Sequence, residues 1–101
     1  MTSHEILESV AHSLVAAGLY KDEETAIKAL AIEQIERKIT SYRKQVNTLE
    51  KKHHLSFEEY NRRLEGKATM EEEDEWMEWK SATVMLEAWQ KALQKVLAST
   101  V

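Results

Sequence analysis

Apolar and aromatic residues recur along the middle of the chain at Ile32, Ile35, Ile39, Tyr42, Val46 and Leu49, and the series ends on His53. The steps alternate between three and four, which is the narrow seam of a coiled coil. Upstream, Ala26, Ile27, Leu30 and Ala31 widen the apolar surface. The first half of this helix should therefore touch two neighbours and the second half one. A matching series runs through Trp79, Ala82, Leu86, Trp89, Leu93 and Val96. Two helices of about 30 residues, each roughly 45 Å long, with matching seams and a short connection, should pair antiparallel.

Polar residues mark where the helices begin and end. Thr2 with Glu5, Ser56 with Glu59 and Thr69 with Glu72 have the spacing of capping boxes, and Asp22 is a further N-cap candidate. Leu55 and Tyr60 flank Ser56 as a hydrophobic staple would. Gly18 fits a left-handed C-cap, with Leu19 folding back on Leu14 as in a Schellman motif, and Gly66 ends the short helix. The expected helices span about 2–17, 22–53, 56–65 and 69–98. The N-terminal one presents Ile6, Leu7, Val10, Ala11, Leu14 and Val15 on one face. The expectation is a single all-α domain covering residues 1–101. In it a long antiparallel helical hairpin is joined at one end by the N-terminal helix, as a three-helix bundle, and closed at the other by the short connecting helix. The closed end has one narrow seam per helix, and two helices bury little per residue, so a homo-oligomer is expected.

Composition narrows the class. The chain lacks cysteine and proline and has two glycines, which removes disulfides and thiolate sites and leaves few helix breaks. No apolar run is long enough to span a bilayer, and MTSHEILESV has neither a basic start nor an apolar core, so no signal peptide is read and the expected compartment is the cytoplasm. The net charge of −4 disfavours nucleic-acid binding through overall charge, yet the charge is uneven. Lys and Arg gather between Arg37 and Arg63, and acid gathers between Glu71 and Glu78. Antiparallel pairing sets the basic end of the second helix beside the acidic start of the last.

Little of this supports catalysis. Glu50-x-x-His53 has the spacing of one half of a di-iron carboxylate site, but such sites need two copies and two further glutamates. His4, His12, Glu5 and Glu8 fit no closed metal site. There is no phosphate loop and no nucleophile elbow. The expectation is no enzyme, no cofactor, no metal and no small-molecule substrate. Trp76, Met77 and Trp79 follow the acidic run, with Phe57 and Tyr60 on the short helix nearby. Trp76 falls off the seam that holds Trp79. Two readings stand: the rings cap the open end of the hairpin, or they form an anchor beside an acidic rim suited to a basic partner.

Two stretches resemble known families. LVAAGLYKDEETAIKAL, Leu14–Leu30, is similar to the helical half of ribbon-helix-helix antitoxins, with Gly18, Leu19, Tyr20 and Asp22 in the turn. Only Met1 to Ser3 precede the first helix, where that family has a DNA-reading strand. The region from about Ala31 to Leu97, with SFEEYNRRLEG and DEWMEW, resembles small helical prokaryotic proteins that accompany TumE-type toxins. That resemblance implies an antitoxin that binds and neutralises a small basic, RNA-cleaving toxin. The partner-binding residues expected on this reading are Trp76, Met77, Glu72, Glu73, Asp74 and Tyr60. Two alternatives remain open. One is a structural coiled-coil adaptor or self-assembling protein. The other is a DNA-binding repressor of its own operon, using a stripe from Arg37, Arg43, Lys44, Lys51, Lys52, Arg62 and Arg63.

Overall fold

The computed structural model describes residues 2–99, and among them every regular element is an α-helix. These are α1 (Ser3–Ala16), α2 (Glu23–His53), α3 (Phe57–Leu64) and α4 (Met70–Ala98). The caps explain the boundaries. Thr2 Oγ1 accepts from the Glu5 amide at 3.1 Å, and Asp22 Oδ1 accepts from the Thr25 amide at 2.7 Å. Ser56 Oγ accepts from the Glu59 amide at 3.2 Å. Before α4 the capping box is reciprocal: Thr69 Oγ1 accepts from the Glu72 amide at 3.2 Å, and Glu72 Oε1 accepts from the Thr69 amide at 3.1 Å. These bonds satisfy amides that the first turn of a helix leaves without partners.

The C-terminal stops follow the same logic. Gly18 lies at φ 79°, its amide donates to Val15 O at 2.9 Å, and the Leu19 amide donates to Leu14 O at 3.0 Å. That is the complete hydrogen-bond pair of the Schellman motif. The stop after α2 is less favourable, because the left-handed position is filled by His54, at φ 56°. A side chain with a Cβ is strained there by about 1–2 kcal/mol.

Two compact units stand out along the chain, Met1–Glu36 with Ala92–Val101, and Arg37–Lys91. In the second unit the end of α2 runs beside the start of α4, and α3 closes the connection. Leu49, Tyr60, Leu64 and Trp79 form its buried cluster, with Leu55, Phe57, Ala68 and Trp76 packed around them. Leu55 and Tyr60 thus sit in one cluster as the staple predicts. Ala82 is also buried, one step along the α4 seam from Trp79.

The first unit is built differently. Its buried side chains are Ala11, Ala26 and Ile35. The start of α2 meets the end of α4 where Lys28 Nζ donates to Ser99 O at 2.9 Å, and α1 is tied to α2 by His12 and Glu23 at 3.2 Å. The face expected to bury α1 is only partly used. Ala11 is enclosed and Leu14 and Val15 are half-buried, whereas Ile6, Leu7 and Val10 are 50%, 40% and 44% exposed. The helix is rotated so that its contact edge runs through Ala11 and Val15, a four-residue step on one side of the apolar face.

Candidate functional site

In the second unit the α2 seam ends on His53, and the α4 seam, carried one turn back from Trp79, arrives at Glu75. The two polar ends meet. Glu75 accepts from Lys52 Nζ through Oε2, and its Oε1 pairs with His53 Nε2. The Tyr60 hydroxyl also donates to Oε1, at 3.5 Å. The imidazole of His53 packs against two rings, 4.5 Å from Tyr60 and stacked 5.6 Å from Trp79. Tyr60 and Trp79 are 5.0 Å apart, and Phe57 approaches Trp79 at 5.7 Å. These separations suit offset and tilted aromatic packing.

The charges here adjust one another. The hydrogen bond from Lys52 holds the Glu75 carboxyl below the usual range; burial opposes this, and His53 adds to it. The same bond from Glu75 raises the Lys52 ammonium. Burial, followed by the nearby Glu75 charge, raises the Tyr60 phenol. A cleft of about 410 Å³ opens beside the cluster, with Arg63, Glu71 and Glu72 on its walls. Acid and base are both present there, so the cleft has no single-sign field for a charged ligand.

The residues expected to face a partner separate into two groups. Tyr60 is 3% exposed and belongs to the core, so its ring is withdrawn from the partner-facing set. Glu72 is half-buried and engaged in the α4 capping box. Trp76 does not stand free of the core, as its place off the seam suggests. It packs against the buried cluster, donates its indole N–H to Asn61 Oδ1 at 2.8 Å, and has Phe57 at 6.1 Å. Lys80 Nζ sits 5.0 Å over its ring. Asn61 was invisible to sequence reasoning because a surface amide on a short helix carries no periodic signal. Glu73, Asp74 and Met77 are exposed, and Met77 is 62% accessible. With Met70, 82% accessible, they occupy steps of three and four along α4 and share one stripe.

The Glu50-x-x-His53 spacing does not assemble a metal centre, since His53 turns to Glu75 and Glu50 is exposed. Among the described residues no group of three or more His, Asp or Glu side chains is placed to hold a metal ion. Nor is any described helix long and apolar enough to cross a membrane. Compared with family models, with curated proteins and with solved structures, the chain matches none of them.

Proposed function

We propose that this protein is a non-catalytic interaction module that binds and neutralises a small basic protein toxin, as the resemblance to TumE-associated proteins implies. The observation that carries the reading is the exposed stripe Met70, Glu73, Asp74 and Met77 on α4, bordered by the edge of Trp76. Flexible thioether side chains beside unpaired carboxylates suit an adaptable contact with a cationic surface. The neighbouring acids support the distinction: Glu75 is held by Lys52 and His53, and Glu72 by its helix cap, whereas Glu73 and Asp74 face solvent. Rim charge sets association rate and salt dependence, while a desolvated anchor sets release.

The test is co-expression with a small basic, RNA-cleaving protein encoded beside it. Reversing Glu73 and Asp74 to lysine should slow association and abolish rescue while the chain stays folded, since both are exposed and the fold loses only favourable charge near the start of α4. Met77→Lys should also abolish rescue, through faster release. Rescue that survives both changes overturns the reading. Trp76→Ala is the poorer probe, because its ring also packs on the buried cluster.

Self-association belongs to the same reading, and the exposed apolar side chains of the first unit favour it. They also favour the self-assembling adaptor as the second reading. An operator-binding role has less support, since Lys52 of the basic stripe is already engaged by Glu75.

A further inference from the structure

The first unit carries two apolar features that nothing in the described chain covers. One is the free edge of α1, where Ile6, Leu7 and Val10 lie at steps that share a face. The other is a groove of about 660 Å³ between the start of α2 and the end of α4, floored by Ile27, Ala31 and Val96. A unit this small, with two alanines and one isoleucine as the buried side chains among its described residues, encloses little apolar surface of its own.

We infer that α1 of one chain packs its Ile6, Leu7 and Val10 edge into the α2–α4 groove of a second copy, and that the second copy returns the contact. The occupant is a second copy because both halves of the interface, ridge and groove, are on one chain. A foreign helix in the groove leaves the α1 ridge in water, and a foreign groove on α1 leaves the other uncovered. A reciprocal pair covers both and closes on itself as a two-fold dimer. Charge agrees with this. Helix α1 carries Glu5 and Glu8 and no Lys or Arg, while the groove rim carries Lys28 and Lys95 against one acid, Glu24. Helix-in-groove contacts use this ridge spacing of three and four.

This locates the self-association named above in the first unit, apart from the acidic stripe, so the two can fail separately. The experiment is sedimentation of the full chain and two variants, Leu7→Glu on the ridge and Ala31→Glu in the groove. Wild type should sediment as a dimer at tens of micromolar. Each variant alone should be monomeric, its dissociation constant raised by about a hundredfold or more through an unpaired carboxylate at the contact, with unchanged circular dichroism. Mixed one to one, the variants keep one of the two contacts intact and gather both carboxylates in the other, so they should associate at concentrations where each alone stays monomeric. A monomeric wild type overturns the inference. So does a mixture no more associated than the variants alone, or an Ala31→Glu variant that stays dimeric, the latter pointing to α1 pairing with α1. Should a variant unfold, the wild-type dimer decides: its dissociation constant should rise several-fold between about 50 mM and 500 mM salt, and a constant that ignores salt overturns the proposal. Loss of toxin rescue in the Glu73 and Asp74 variant with the dimer intact would separate the acidic rim from this contact.

Discussion

The two units are made from the same pair of long helices, yet they reach stability by different means. In Arg37–Lys91 a short third helix lays Phe57, Tyr60 and Leu64 against Leu49 and Trp79, and five aromatic or imidazole rings meet. In the other unit a longer helix contributes one fully buried alanine and leaves three branched side chains partly in water. Helix length is therefore a poor guide to what a helix contributes. Ring size matters more: the eight residues of α3 bury Tyr60 and Leu64, whereas the fourteen of α1 bury Ala11.

The largest effect should come from the centre of the ring cluster. Trp79→Ala removes the one large, fully buried side chain among the described residues and should cost about 3–5 kcal/mol. Its indole N–H has no hydrogen-bond partner, so Trp79→Phe should recover most of that loss. A denaturant titration that finds Trp79→Ala close to wild type would remove the core from the second unit.

Next in size is Glu75→Gln, which weakens the tie to Lys52 and His53. Glu75 and His53 are half-buried and Lys52 is largely in water, so the loss should be clearly smaller than that of Trp79→Ala. The pH dependence has a definite sign. The Glu75 pKa is depressed in the folded chain, so its stabilisation is present above the ordinary value of 4.5 and is lost as pH falls through the lower folded value. Lys52 and Tyr60 have raised values, so their shares are complete below the ordinary 10.5 and 10.0 and are lost as pH rises through the folded ones. Melts across acid pH should show a smaller acid loss in Glu75→Gln than in wild type. Asp22, depressed by its bonds to Thr25, keeps its own contribution in the first unit.

A smaller change of opposite direction should follow His54→Gly. Relief of the left-handed strain, offset by the greater freedom of glycine in the unfolded chain, should leave a gain of up to about 1 kcal/mol. Smallest of all, Leu7→Ser should change the stability of the dilute monomer by less than about 0.5 kcal/mol, since the side chain is already half in water. A loss of several kcal/mol in dilute chemical denaturation would show that α1 is buried within its own chain.

Much of the fold was legible because helix signals are local. Each cap lies within three residues of the amide it satisfies, so Thr2, Asp22, Ser56 and Thr69 announce the helices directly. The seams were legible too, and extending them by one turn brings His53 to Glu75. What the pattern does not show is which edge of an apolar face is used. Ile6 and Ala11 both belong to the face read on α1, but Ala11 is enclosed and Ile6 is half in water. The expectation that the closed end of the hairpin would be short of core is reversed for a related reason. The seams of α2 and α4 carry no sign of the rings of α3, and Tyr60 packs on both helices through His53 and Trp79. On the candidate site, periodicity separated Trp79 from Trp76, but it carried no information on Asn61, whose amide holds the second indole in place.

The central claim is that one unit holds together within a single chain and the other is completed by a second copy. Amide hydrogen exchange of the full chain, measured at about 1 μM and again at about 100 μM, tests this most directly. Amides of Leu49, Tyr60, Leu64 and Trp79 should be protected equally at both concentrations, while those of α1 and of α2 from Ala26 to Ala31 should slow markedly at the higher one. Protection of α1 that equals that of the ring cluster and does not change with concentration would contradict the account.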